Sequence, residues 1–183
     1  MWVKPTPTTE EPHHHTPAGA VAGTSEKDAV GRVNKHDFET DRSVGRMSHQ
    51  SRAIVQDAWK AFASHDADRI SAVFTEDAEW LAPRGNATAT ALEAPSHMVG
   101  RMAIRRFIAE DFPRLFARDV TVTFHGFYAD GARVVVEETM TATLANGNHC
   151  CLIFELQDGL IHRVREYMDT GRGHRMIFGE ASR

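Results

Sequence analysis

One carboxylate lies on the apolar side of a strand-like segment near the end of the chain. In the stretch "DGLIHRVREYMDT", side chains alternate with a period of two, so Glu166 shares a face with Val164 and Met168. Burying an ionised carboxylate without partners costs several kcal/mol. In an apolar pocket the pKa of a carboxyl group rises, which suits proton transfer near neutral pH. We therefore take Glu166 as the candidate proton carrier; the alternative is a structural ion pair with an arginine of residues 101–106 or of a neighbouring strand.

Other side chains could complete a site around Glu166. Glu138 and His149 are candidate acid–base partners, although a polar band at the sheet rim would also explain Glu138, and a structural hydrogen bond would explain His149. The remaining candidates are apolar or aromatic and would line a ligand pocket: Trp59, Trp80, Phe107, Met140, Cys151, Val164 and Met168. The sequence has no metal-ligand spacing and no glycine-rich dinucleotide motif. We therefore expect no metal and no cofactor.

Hydrophobic periodicity predicts three helices and a short strand before the sheet. The helices cover residues 50–64, a short segment that Asp66 caps, and residues 101–116. The stretch "EDAEWLAP" predicts a brief strand. Residues 84–100 have no apolar period and predict a long loop that could cover a site. The remainder predicts a four-stranded antiparallel meander, which gives an α+β fold: a cone-shaped curved sheet, with one additional short strand, packed on three N-terminal helices.

Three turn dipeptides set the expected register of the meander: Asp130-Gly131, Asn146-Gly147 and Asp158-Gly159. Each suits a two-residue hairpin turn. Such turns place Cys151 opposite Glu166. One face then carries Thr123, His125, Phe127, Val134, Val136, Glu138, Met140, Ala142, His149, Cys151, Ile153, Glu155, His162, Val164, Glu166 and Met168. A bulge would shift a strand by one residue and reverse its faces.

The opposite face of the sheet is also substantially apolar in this register. It carries Val120, Val122, Phe124, Val135, Leu152, Phe154, Leu156 and Ile161. Three helices can cover only one face, so a second subunit is expected to cover the other. The sequence therefore predicts a homodimer through the outer sheet face.

Composition limits the class of protein. The chain has 183 residues, a net charge of −4 and no basic stripe, so nucleic acid is not an expected partner. No segment is apolar for long enough to span a membrane. The two cysteines, Cys150 and Cys151, are neighbours and give no disulfide framework, which predicts a cytoplasmic location. We expect residues 1–46, rich in Pro, Thr and charge, to be a disordered extension, residues 47–178 to be the folded domain, and residues 179–183 to be a tail.

The order of elements and the ending "VREYMDT" resemble the SnoaL-like branch of the nuclear-transport-factor-2-like superfamily, over residues 48–178. That superfamily includes ketosteroid isomerases, SnoaL-type polyketide cyclases and limonene-epoxide-hydrolase-like enzymes. The resemblance implies a curved sheet wrapped round a helix, an apolar pocket, a dimer, and an inward-pointing Glu166.

The sequence departs from two of the family's active sites. Where the epoxide hydrolases have Arg-x-Asp, this chain has Glu138-Thr139-Met140, and their Tyr and Asn align with Trp80 and Ala82. Epoxide hydrolysis by that mechanism is therefore not expected. The steroid isomerases need an inward tyrosine, whereas Tyr167 is expected to face outward.

Two classes of function remain open. The first is a cofactor-free enzyme, an isomerase, cyclase or hydratase, that performs acid–base chemistry on an apolar, carbonyl-bearing molecule. The second is a non-catalytic ligand-binding or accessory module with the same fold. The absence of an evident oxyanion donor favours the second class.

Overall fold

The computed structural model describes the backbone of residues 35–143 and 145–179. It describes the side chains of residues 43–143 and 147–179. A curved six-stranded sheet in the order β2-β1-β6-β5-β4-β3 packs against the helices. Strands β1 and β6 are parallel, and all other neighbouring strands are antiparallel. The α+β architecture with its C-terminal meander is the one that the sequence predicts.

The elements follow one another along the chain with short connections. In order they are α1 Lys35–Ser64, α2 Ala67–Ala72, β1 Phe74–Leu81, α3 Ala87–Leu92, β2 His97–Val99, α4 Arg101–Arg106, a π-helical segment Phe107–Asp111, α5 Phe112–Leu115, β3 Thr121–Asp130, β4 Arg133–Ala142, β5 Ala145–Gln157, β6 Leu160–Met168 and α6 Thr170–Phe178. Helix α1 thus begins twelve residues before Met47. The part of the predicted disordered extension that comprises residues 1–34 lies outside the described residues, as do residues 180–183 of the predicted tail.

The helices bury the sides that their periodicity predicts. On α1, Val55, Ala58 and Phe62 are buried against the sheet. The Asp66 side chain caps α2 by accepting hydrogen bonds from two backbone N–H groups, each at 3.0 Å. The predicted third helix is continuous from 101 to 115 but contains the π-helical turn, and Pro113 lies directly after that turn.

Residues 84–100 are more ordered than the predicted loop. Asn86 caps α3 by accepting a hydrogen bond from the Ala89 backbone N–H at 2.9 Å, and β2 pairs with β1. Helix α6, which the periodicity analysis does not predict, packs on α3: His174 Nε2 lies 2.9 Å from the Gly85 carbonyl oxygen. These elements close one end of the cone.

Only one of the three turn predictions is correct. Asp158 and Gly159, with φ of 51° and 79°, form the β5–β6 turn and let Gln157 pair with Leu160. The β3–β4 turn lies one residue later than predicted, because Asp130 pairs with Arg133. Asn146-Gly147 is wrong as a turn, because both residues lie inside β5. Gly147, with φ of 76°, instead lies where β5 carries one residue more than β4, as in a bulge.

These differences reverse the faces of β5 and part of β3. Leu152 and Phe154, predicted on the outer face, are 2% and 0% exposed and lie in the core under the helices. Cys151 and Ile153 therefore point outward. A second bulge, between Glu155 and Leu156, returns β6 to the predicted orientation, with Glu166 facing the core side.

Candidate active site

The concave face of the sheet and the helices above it enclose a cavity of about 710 Å³. Its walls are mostly aromatic and aliphatic, which is typical of small-molecule sites. Helices α1 and α4–α5 contribute Trp59, Phe62, Phe107, Ile108 and Phe112; the sheet contributes Trp80, Met98, Val122, Phe124, Phe127, Met140, Cys150, Leu152 and Met168. The π-helical turn lets Phe107, Ile108 and Phe112 all reach the cavity.

Glu166 lies in the wall of this cavity, within hydrogen-bond reach of a tryptophan. Trp80 Nε1 donates to Glu166 Oε2 at 3.1 Å. Protein atoms surround the carboxyl group, and the surface that it retains lines the cavity. Desolvation raises the pKa of Glu166, and the Trp80 hydrogen bond opposes this shift. The alternative of an arginine partner is wrong, because Glu166 forms no ion pair with any of the described residues.

Glu138 is a second carboxyl group in the same cavity. Its side chain is 4% exposed, and its Oε2 has no hydrogen-bond partner among the described residues. Desolvation raises the pKa of Glu138 from 4.5 to about 7; the Cys150 thiol opposes this shift, and the charge of Glu166 adds to it. At neutral pH this group can therefore hold or release a proton.

The sheet register explains why the two carboxyl groups share one cavity. Glu138 lies opposite Cys150, and Glu166 lies opposite Leu152, so the two glutamates flank β5 from either side at adjacent inward positions. Each raises the pKa of Cys150, together with burial, so this thiol stays protonated. Two like charges this close in an apolar cavity disfavour the doubly ionised state.

Two further polar groups in the cavity wall have unused hydrogen-bonding capacity. Trp59 Nε1 and Asn148 Oδ1 are both buried and have no partner among the described residues. Trp59 packs edge-on against Phe124, with ring centroids 5.0 Å apart, and Phe124 is the β3 partner of Glu138. Trp59 thus packs on the β3 residue that pairs with Glu138, and its indole N–H is a donor without a partner among the described residues.

The structure brings most of the predicted site together. Glu166, Glu138, Trp59, Trp80, Phe107, Met140 and Met168 all line the cavity. Val164 is fully buried but lies in the core rather than in the cavity wall. Cys151 is misplaced by the reversed faces of β5, and its neighbour Cys150 lines the cavity instead.

His149 is not in the cavity. Its side chain is exposed on the outer sheet face, where Nδ1 lies 2.9 Å from Thr139 Oγ1; the same hydroxyl lies 2.7 Å from His125 Nε2. Its predicted partnership with Glu166 therefore has no support in the geometry. Asn148, one position earlier on β5, lines the cavity and is missed by sequence reasoning; the signal that finds it is the bulge at Gly147.

No three His, Cys, Asp or Glu side chains among the described residues gather as a metal ion would require. Within the same part of the chain, none of the helices has the length and hydropathy needed to span a bilayer.

The fold defines the molecule as an α+β cone domain. The family model described as "SnoaL-like domain" matches residues 55–164, and the chain belongs to this family. No curated protein matches this chain.

Solved structures of similar fold include proteins with different descriptions. A candidate ketosteroid isomerase from Kribbella flavida is 20% identical, with 67% of this chain and 79% of that one covered, at a TM-score of 0.53. An epoxide hydrolase of the LEH-like type from M. tuberculosis is 22% identical, with coverage of 71% and 90%, at 0.55. An NTF2-like protein of unknown function from Burkholderia pseudomallei is 20% identical, with coverage of 70% and 98%, at 0.60. These likenesses establish the fold alone.

Proposed function

We propose that this protein is a cofactor-free enzyme that moves a proton on an apolar, carbonyl-bearing small molecule, as an isomerase, cyclase or hydratase does. The observation that carries the proposal is the pair of carboxyl groups, Glu138 and Glu166, that face one apolar cavity with raised pKa values. Raised pKa values in a cleft are typical of acid–base catalysts, because a catalytic group works best near the pH of the reaction.

The two glutamates have different surroundings, which supports different roles. The indole N–H of Trp80 stabilises a charge on Glu166, whereas Glu138 has only a thiol as donor, which is weaker. Glu166 is therefore the proposed base. It removes a proton from the carbon next to the carbonyl group. The C–H electron pair forms a C=C bond, the π pair of the carbonyl group moves to its oxygen, and the proton then returns to the same or another carbon as the carbonyl group re-forms.

The developing negative charge on the carbonyl oxygen needs a donor, and the cavity offers two. Trp59 Nε1 has no partner among the described residues, and Glu138 can donate a hydrogen bond while it is protonated. Donors that are already in place where charge develops contribute strongly to catalysis. These two groups are the candidate oxyanion donors that the sequence analysis does not identify.

The proposal is tested with an enolisable apolar ketone, 2-tetralone, in D₂O. We expect the protein to accelerate exchange of the protons next to the carbonyl group, measured by proton NMR, because Glu166 removes them and returns deuterium. His149→Ala, on the outer face, is the matched control and leaves the rate unchanged. Binding of 2-tetralone without accelerated exchange would favour the alternative, a ligand-binding or accessory module.

We also propose a homodimer through the outer sheet face, on a revised set of residues. Tyr128 and Tyr167 are 58% and 53% exposed on this face. Tyr128 pairs with Val135, which pairs in turn with the partly exposed Ile153, and Tyr167 pairs with Cys151. The neighbouring ion pairs of Glu155 with Arg163 and Arg165 make the face less apolar than the sequence predicts.

Adjacent substitutions on β5 test this interface. Ile153→Asp on the outer face is expected to keep the fold and to lower the mass from twice 20.4 kDa to one chain, measured by light scattering. Phe154→Asp, one residue along, is expected to abolish folding, because it buries a charge in the core. A wild-type chain that is monomeric at micromolar concentration would contradict the dimer.

The predicted cytoplasmic location stays a proposal, supported by the free thiols. Cys150 and Cys151 are both unpaired and lie on opposite faces of β5, an arrangement suited to a reducing compartment.

A further inference from the structure

Asn148 is a buried polar side chain that the acid–base chemistry does not use. It is 7% exposed and lines the cavity. Its Nδ2 has only a long contact of 4.0 Å to Cys150 Sγ, and its Oδ1 has no partner among the described residues. A buried polar atom that is left without a partner destabilises the folded protein. A ligand in the cavity could therefore form the hydrogen bond that the Asn148 amide lacks.

The place of Asn148 on the sheet separates it from the two glutamates. It lies opposite Met140, at the inward position of β5 that precedes Cys150, whereas Glu166 lies opposite Leu152. At about 3.4 Å per strand residue, the Asn148 level is about 7 Å from the Glu138 level and about 14 Å from the Glu166 level. One ligand can span this distance within a cavity of about 710 Å³.

We propose that Asn148 is a specificity-determining residue that accepts a hydrogen bond from a hydroxyl or N–H group of the ligand, at the end remote from the reacting carbon. The ligand class follows: an elongated apolar molecule, with a carbonyl-bearing end between Glu138 and Glu166 and a hydrogen-bond donor at the other end. This inference rests on the proposed function only for which end of the ligand reacts. The site for the ligand's hydrogen-bond donor is argued from Asn148 alone.

The wall around Asn148 supports one polar contact in an apolar setting. Met140 lies directly across from it, and Val122 pairs with Met140 on the next strand. Both line the cavity and neither can replace a missing hydrogen bond. A site built to bind a polar group rejects an analogue without that group, because its own buried atom is then left unpaired.

Two probes of similar shape, 2-naphthol and 2-methoxynaphthalene, test for this hydrogen bond, because only 2-naphthol has an O–H group that can donate it. We expect wild-type protein to bind 2-naphthol about tenfold more tightly, measured by isothermal titration calorimetry. Asn148→Leu, of similar volume, is expected to remove this preference and to keep the affinity for 2-methoxynaphthalene within about threefold. His149→Leu, the next residue along β5 with its side chain exposed on the outer face, is the matched control and keeps the preference. Asn148→Val, which suits a strand, repeats the test in case the Leu variant does not fold.

The outcomes separate this inference from the proposed function. A preference for 2-naphthol that persists in Asn148→Leu would show that the hydroxyl binds the glutamates instead; it would overturn the role of Asn148 and leave the acid–base proposal intact. Equal binding of the two probes by wild-type protein, or no binding of either, would also overturn it. Loss of the preference in both Asn148 variants, together with an absence of 2-tetralone exchange, would support a ligand-binding site without catalysis.

Discussion

Replacing Glu166 by Gln is expected to slow the exchange of 2-tetralone protons by about 10²–10⁴-fold, the usual contribution of a positioned general base. The amide has nearly the same shape as the carboxylate but cannot accept the proton. Ligand affinity is expected to stay within about tenfold, because the change removes an interaction with the reacting proton rather than the apolar contacts. The measurement is the exchange rate in D₂O at saturating ketone, beside the dissociation constant from calorimetry.

The fold of this variant is expected to survive. The carbonyl oxygen of Gln can accept the Trp80 hydrogen bond that Glu166 accepts at 3.1 Å. Since desolvation raises the pKa of Glu166, the charged form is disfavoured in the folded protein, and a neutral side chain removes that penalty. The melting temperature at pH 8 should thus be no lower than that of wild type. An unchanged exchange rate in a folded variant would refute Glu166 as the base.

Much of the fold can be predicted because local chemistry and the global pattern agree. The apolar positions of α1, the Asp66 cap and the Asp158-Gly159 turn each have one physical interpretation, and the structure has all three. Asn146-Gly147 has two physical interpretations, since a glycine at positive φ suits a hairpin turn and a bulge equally well. Only the pairing of Met140 with Asn148 decides between a turn and a bulge, and that pairing is set by the three-dimensional fold rather than by the local sequence.

The site follows the same division. Glu166 and Met168 can be placed inward because the alternation within β6 is sufficient. Cys151 and His149 cannot, because their orientation depends on the number of residues between β4 and their own strand. A single inserted residue exchanges Cys150 for Cys151 and Asn148 for His149. The missed polar residue of the cavity, Asn148, is thus a consequence of one bulge rather than of unusual chemistry.

Glu138 is expected to make the stability of the protein depend on pH. Its pKa is about 7 in the folded protein, against 4.5 as its ordinary value. Below pH 4.5 both states hold the proton, and the folded state has no pH-dependent penalty. Between pH 4.5 and 7 the unfolded chain releases a proton that the folded protein keeps, so the free energy of unfolding falls as the pH rises. Above pH 7 the penalty is complete, at about 3 kcal/mol.

Glu138→Gln removes this titration. Relative to wild type, its free energy of unfolding is expected to rise by up to about 3 kcal/mol between pH 4 and pH 8, measured by urea unfolding at each pH. Glu166 and Cys150 face the same group, and the charge of Glu166 raises the pKa of Glu138, so part of the change reflects the loss of this like-charge repulsion. Glu137→Gln is the matched control: the same chemical change, one residue earlier on β4, on an exposed side chain. A difference between Glu138→Gln and wild type that is constant from pH 4 to pH 8 would mean that Glu138 titrates normally, and the second carboxyl group would then lose its place in the proposed mechanism.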